Sequence, residues 1–346
     1  MTEWPPDDLE HLGACPICRS AERSVQFGGL TDKAFRVAPG RWTLFRCTDC
    51  DAAYLDPRPN EASIGRAYEA YYTHRGLNLK ALPSRRKGLK GQIRNAWLNA
   101  RFGYRFATLL PPALVARALD PRSKVKEEFF VRHLPAPDRP GARLLDVGCG
   151  NGDYLAVARD CGYHAVGIEP DAEAVAIGRD AGLEVHQGML PLRQVELEPF
   201  DRITFSHVLE HLHWPREALQ QVFQMLRPGG SVWISQPNLQ AGGLEHFGEN
   251  WRGLEAPRHL TLFTPEGLKR LLTELGFVDV RQPAPDSVAS YFYRHSLAMS
   301  LGLDPYAPEN PPGWDACVKL ADAADVRAVR DPDHGEILTV MATRPI

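Results

Sequence analysis

The sequence has 346 residues, 44% hydrophobic and 24% charged, which excludes wholesale disorder and provides enough apolar surface for one or two buried cores. No apolar run approaches the roughly 18 residues of a membrane span, and the acidic start Met1–Asp8 is not a basic signal-peptide leader, so a cytoplasmic protein is expected. The net charge of −3 hides a split, because residues 75–132 hold 14 Lys+Arg against 3 Asp+Glu (+11) and the remainder carries −14.

Residues 1–60 read as a small separate module. Cys15-Pro16-Ile17-Cys18 and Cys47-Thr48-Asp49-Cys50 stand among short strand-like stretches such as Thr43–Arg46, and the turn-rich Asp56–Asn60 closes the segment. From 61 to 135 the pattern is helical and basic: Arg94, Trp97, Leu98, Arg101, Phe102, Arg105, Phe106, Leu109 and Leu110 form apolar and cationic stripes at three-to-four spacing. Pro135–Gly141 makes a linker into the last domain, residues 136–346. There, strand-like runs at Arg143–Cys149, His164–Glu169, Glu184–His186, Asp201–His207 and Ser231–Gln236 alternate with helical patterns at Tyr154–Cys161, Asp171–Ala181 and Pro215–Leu226. This alternation specifies an α/β fold, a Rossmann-like doubly wound, mostly parallel sheet. A helix at Glu266–Leu275, a strand at Phe277–Arg281 and a last strand at Ile337–Thr343, expected antiparallel at the sheet edge, complete the reading.

The two cysteine pairs are separated by 28 residues, a zinc-ribbon layout. Cys15, Cys18, Cys47 and Cys50 would fill a tetrahedral thiolate site and leave no open position, so the expected Zn2+ is structural. Paired disulfides or redox activity are the alternatives. Cys149, Cys161 and Cys317 read as small buried hydrophobes.

The segment Leu144-Leu145-Asp146-Val147-Gly148-Cys149-Gly150-Asn151-Gly152 joins the first strand of the last domain to its first helix. Glycines here allow close backbone approach to a ligand at the carboxyl edge of the sheet. Glu169, 17 residues beyond Gly152, ends the next strand, where a carboxylate can accept both ribose hydroxyls. The spacing is Gly-x-Gly-x-Gly, and Asp146 stands two residues before the first glycine. That carboxylate would repel a pyrophosphate and attract a ligand bearing an ammonium and a sulfonium; an NAD-binding Rossmann domain is the competing reading. With Gly188-Met189, Phe200–Ile203, Ser206–Leu212 and Leu226–Gly230, residues from about 140 to 283 resemble the class I S-adenosylmethionine-dependent methyltransferases. The resemblance implies that Asp146 and the backbone of Gly148, Cys149, Gly150 and Gly152 hold the methionine moiety. It also implies that Glu169 holds the ribose, Met189 lines the adenine and Ser206 lies near the sulfonium.

An acceptor that must lose a proton calls for histidine, and the candidates are His207, His211, His213 and His259. His207 and His211 are four apart and would share a face, and with Glu210 they resemble the Leu-Glu-His signature of the family. The long polar excursion from Asn238 to Pro257 is expected to overhang the methyl donor as a lid. With Arg258 it carries Glu245, His246, Trp251 and Arg252, a group suited to a sugar, phosphate or carboxylate. In sugar C-methyltransferases, which share the cysteine module, a similar His-Leu-x-x-Phe segment holds an active-site Glu-His pair; here Arg258 replaces the Glu. The expectation is that His259 or His211 is the catalytic base and that His207, Trp251, Arg252 and Arg258 bind the acceptor, Arg258 as an anion clamp.

The resemblance implies a small or lipid-linked acceptor, a saccharide or glycan precursor. The rivals are an rRNA or tRNA base methyltransferase and a non-catalytic cofactor-binding scaffold. For residues 85–110 three readings compete: a solvated helix packed on the catalytic domain, peripheral contact with an anionic membrane surface, and nucleic-acid binding.

Overall fold

The computed structural model describes residues 3–69, 76–111, 119–192 and 197–346; the parts of the expected helical connector at 70–75 and 112–118 lie outside them. In chain order the strands are β1 (Leu9–Glu10), β2 (Arg23–Leu30), β3 (Trp42–Cys47), β4 (Ala53–Leu55), β5 (Arg58–Pro59), β6 (Arg143–Val147), β7 (His164–Glu169), β8 (Glu184–Gln187), β9 (Phe200–Ser206), β10 (Leu226–Pro237), β11 (Thr261–Leu262), β12 (Val278–Arg281) and β13 (Ile337–Thr343). The helices are α1 (Gly88–Phe102), α2 (Pro121–Phe130), α3 (Asp153–Asp160), α4 (Ala172–Asp180), α5 (Pro215–Met225), α6 (Gly242–Phe247), α7 (Pro265–Glu274), α8 (Ala289–Ser300) and α9 (Trp314–Arg330). Among the described residues no helix is long and apolar enough to cross a membrane. The chain divides into two compact units, each assembled from several stretches rather than from the three consecutive segments read from the sequence.

One unit draws on residues 72–206, 222–233 and 343–346. Its sheet runs in the order β10-β9-β6-β7-β8, with β6 parallel to both β7 and β9 and β7 parallel to β8. The run Leu144–Val147 is buried throughout, as expected of a central parallel strand covered on both faces. Sequence order reverses at β6, and it is at the carboxyl edge beside such a reversal that open α/β sheets bind ligands. The Asp171 side chain caps α4 by accepting from the amides of Glu173 (2.8 Å) and Ala174 (3.0 Å). The basic helix α1 packs Leu98 into the same core as Leu144, Leu155 and Val185.

The helical pattern expected to continue to Leu110 instead stops at Gly103, whose φ of +82° ends α1 in a left-handed cap. The Asn99 side chain then holds both backbone groups of Phe106 (2.9 and 2.8 Å), and Thr108 Oγ1 donates to the Gln92 carbonyl (3.1 Å). Residues 104–110 therefore fold back along the helix.

The other unit draws on residues 1–71, 207–221 and 234–342. Its four-stranded sheet has the order β11-β4-β3-β2, all antiparallel, so a strand from residues 261–262 completes the sheet of the cysteine-bearing segment. β1 pairs with β5. In the order β12-β13-β10, β13 is an inner strand, contrary to the expected edge position, and its largely buried residues contrast with the exposed β12 that takes the edge. Helix α7 starts on Thr264, whose hydroxyl accepts from Gly267 N (3.1 Å), has Pro265 in its first turn, and buries Leu268, Leu271 and Leu272 at helical spacing. Trp42, Leu44 and Leu55 share one apolar core with Leu254, Leu262 and Phe292.

Because that core is shared, Leu262→Ala should destabilise the N-terminal sheet as well as its own segment, by about 2–5 kcal/mol. Urea unfolding monitored by tryptophan fluorescence measures this, and a loss well below that span would mean that Leu262 contributes little to the shared core.

Candidate active site

At the end of β6, Asp146 is almost completely buried, accepts a hydrogen bond from Thr204 Oγ1 (2.8 Å) and forms an ion pair with Arg132. Its second oxygen, Oδ2, has no partner among the described residues. Burial pushes the Asp146 pKa up, against the opposing pull of Arg132 and Thr204. Glu169, at the end of the neighbouring β7, accepts from Gly150 N (2.8 Å) and Asp171 N (3.1 Å); burial raises its pKa while these amides oppose the rise. The carboxylate is thereby held against the glycine loop.

Two of the glycines do different work. Gly150 has φ +55° and open space where a Cβ would stand, so a ligand can approach its backbone. Gly152 has φ +92°, a conformation that strains any side chain, and a Cβ there would also stand 2.4 Å from Leu183 Cδ1 and push it aside. Cys149 is buried beneath the loop, Met189 follows β8 and is 38% exposed, and Ser206 is the last residue of β9. Sequence reasoning missed Arg132, which also lies 3.6 Å over the Tyr154 ring; no motif marks it, because its φ of +49° and its position after α2 emerge only on folding. The orphaned Asp146 oxygen, the open Gly150 backbone and the buried Glu169 fit the ammonium, main-chain and ribose groups of S-adenosylmethionine.

In the other unit, a cavity of about 290 Å3 is lined by His207, His211, Arg252, Glu255, His259 and Tyr291 among others. His207 has φ +56° and its amide donates to Ser235 O (2.8 Å), which turns the chain into the short 3-10 helix Leu209–His211. His259 Nδ1 donates to the Gly253 carbonyl (2.7 Å), and His211 Nδ1 lies 3.0 Å from the Arg258 carbonyl and 2.9 Å from the Tyr68 hydroxyl. A carbonyl only accepts, so the neutral His259 ring carries its proton on Nδ1 and keeps the Nε2 lone pair. The two rings meet edge to face at 4.8 Å. Burial lowers the His259 pKa to about 4, although Glu255 pulls it upward, so the imidazole is neutral near pH 7.

Glu210 is fully buried and neither of its oxygens has a hydrogen-bond partner among the described residues. Burial opposes its ionisation, yet the surrounding imidazoles of His207, His211 and His259 hold its pKa below the ordinary value. Glu255 is ionised in the same way: Arg252, His259 and Arg258 outweigh its burial. Glu255 stands four residues before His259, so the buried acid beside the imidazole is present one helical turn from the position that Arg258 occupies.

Two of the expected acceptor contacts are corrected. Arg258 is completely buried, pairs with Asp32 and with Glu255 (3.1 Å), and donates to Ala67 O (2.7 Å), so its guanidinium is an internal counter-ion rather than an anion clamp. Trp251 is completely buried, with Nε1 donating to Glu336 (2.7 Å), and does not line the cavity. Arg252 and His207 do line it. His213 is tied to the Pro59 carbonyl (3.0 Å). Nor is the excursion from Asn238 to Pro257 a polar flap: it forms α6 and buries Leu239, Ala241, Leu244, Leu254 and Ala256 in the core.

The four cysteines converge. Cys15 and Cys50 sulfurs are 3.4 Å apart, Cys18 and Cys47 sulfurs 3.5 Å, and all four lie within 4.8 Å of one another. Cys149, Cys161 and Cys317 are buried, as expected.

A parallel sheet that carries a glycine loop between two buried carboxylates, at the strand-order reversal, has the architecture of the class I methyltransferase fold. Residues 119–282 match the methyltransferase domain family. A malonyl-[acyl-carrier protein] O-methyltransferase of Serratia marcescens is 28% identical over 166 residues, covering 47% of this chain and 57% of that protein. A ubiquinone biosynthesis O-methyltransferase of Bordetella avium is 29% identical over 140 residues, covering 36% of this chain and 58% of that protein. Among solved structures, phosphoethanolamine N-methyltransferase 2 of Haemonchus contortus aligns with 85% of this chain and 63% of its own, with a TM-score of 0.43 at 14% identity. The chain spans a little over half the length of these two curated relatives.

The depressed His259 pKa fixes the sign of a pH effect. Between the ordinary value of 6.5 and about 4, the unfolded chain binds a proton that the folded chain does not, so this residue's contribution to stability is complete above that window and is lost as pH falls through it. An NMR titration should find the His259 imidazole still neutral at pH 5.5; a signal that titrates near 6.5 would contradict the buried geometry.

Proposed function

We propose that the protein transfers a methyl group from S-adenosylmethionine to a hydroxyl of a small or carrier-linked acceptor bound in the histidine-lined cavity. The observation that carries the reading is the pair of buried carboxylates, Asp146 and Glu169, flanking a loop whose Gly150 backbone is open to a ligand. When bound, the cofactor supplies an electrophilic methyl group. The chain's own task is to align the acceptor, exclude water and remove a proton. His259, neutral and with Nε2 unprotonated, is the proposed base; Glu255 and Glu210 stabilise the imidazolium that forms. His211, whose ring meets that of His259 edge to face at 4.8 Å, is the second candidate. Transfer to oxygen is supported by the names of the two curated relatives, both O-methyltransferases. A saccharide acceptor rests on the resemblance to sugar methyltransferases and on the polar lining from His207, His211 and Arg252.

The test uses labelled S-adenosylmethionine and mass spectrometry of small-molecule extracts. Glu169→Ala should weaken cofactor binding by about 1.5–3 kcal/mol, the scale of lost charge-assisted hydrogen bonds. His259→Ala should lower kcat by roughly 10²–10⁴-fold with cofactor affinity unchanged. Wild-type protein that binds no cofactor by calorimetry would sink the assignment.

We further propose that Cys15, Cys18, Cys47 and Cys50 hold a structural Zn2+. Their mutual distances suit tetrahedral thiolate ligation, which places sulfurs roughly 3.8 Å apart, whereas a disulfide requires about 2 Å. Elemental analysis should find one zinc per chain, lost in Cys47→Ser with a lower unfolding midpoint. Metal-free protein of undiminished stability would exclude the proposal.

A further inference from the structure

We infer that the N-terminal end of α1 docks the protein on a bilayer rich in anionic phospholipid. Residues 85–110 contain seven Lys or Arg and no acid. Arg86, Arg94 and Arg101 are engaged by Glu127 and Glu128. Arg85, Lys87 and Lys90 are exposed, and among the described residues no acid pairs with them.

Two large aliphatic side chains stand beside these cations. Leu89 is 65% exposed and Leu109 is 90% exposed. The fold-back of residues 104–110 brings them together: Leu109 N donates to Gln92 Oε1 (3.4 Å), one turn of helix from Leu89. Exposed leucines ringed by unpaired cations suit an acyl–headgroup boundary. The first turn of α1 has neither an acidic residue nor a side-chain cap, so the positive end of the helix adds to the cationic field.

The same cations could meet nucleic acid, but there the apolar contribution is base stacking on aromatic rings. Trp97, Phe102 and Phe106 are turned into the core, and Lys124 covers the Trp97 ring at 5.1 Å. What remains exposed is aliphatic, which favours lipid.

Flotation of the full-length protein with vesicles of phosphatidylcholine alone, and of phosphatidylcholine mixed with phosphatidylglycerol, tests the surface without reference to methyl transfer. Binding should require the anionic lipid and weaken with salt. Lys87→Gln with Lys90→Gln should reduce partitioning about fivefold per charge removed, and Leu89→Asp with Leu109→Asp should abolish it, both double variants keeping wild-type thermal midpoints because the side chains are exposed. Equal flotation on both vesicles, none on either, or binding indifferent to the leucine changes overturns the inference. An RNA hairpin held as tightly by the leucine variants as by the wild type would assign the patch to nucleic acid instead.

Discussion

The guanidinium of Arg258 lies wholly inside the protein, and the arrangement of the histidine cavity follows from the need to pair it. A buried cation without partners is strongly unfavourable, and removing one partner typically costs about 3–5 kcal/mol. Asp32, from the N-terminal segment, and Glu255, three residues before Arg258, meet this requirement. Asp32 also accepts from the amides of Phe35, Val37 and Ala38, so one carboxylate shapes the loop after β2 and anchors the segment that carries His259. Glu255 is shared with Arg252 and faces His259 Nε2 at 3.6 Å. The charges balance, and the imidazole stays neutral between them.

A comparable imbalance marks both candidate ligand sites. Asp146 is paired on one oxygen and left open on the other; Glu210 is enclosed with no hydrogen bond to either. Arg258, by contrast, spends its guanidinium on Asp32, Glu255 and the Ala67 carbonyl.

The parallel strands were legible because they are continuous apolar runs bounded by turns, and the cofactor loop because glycine spacing and Asp146 are local in sequence. Convergence of the four cysteines was legible for the same reason: paired ligand spacing is a local signal. The roles of Arg258 and Trp251 were not, since nothing in the neighbourhood of either residue announces Asp32 or Glu336 as its partner. The breakdown of α1 at Gly103 depended on Asn99 capturing the Phe106 backbone, a side-chain bond that outweighs apolar periodicity. Helices α8 and α9 escaped notice because their buried faces, Ala289, Tyr293, Cys317 and Ala321, use small and mixed residues rather than a leucine stripe.

The two-residue strand β11 gives the N-terminal segment a further consequence. Its backbone satisfies the outer edge of β4, and Leu262 beside it fills a core lined by Trp42, Leu44 and Leu55. A fragment starting after residue 60 would bare one side of β11 together with Trp251, Leu254 and Leu262. Unpaired backbone next to uncovered apolar surface is a template for intermolecular strand pairing. Shortening the chain to its family-matching portion would thus favour aggregation, because the cysteine-bearing sheet covers the edge and the apolar side of the segment that follows β10.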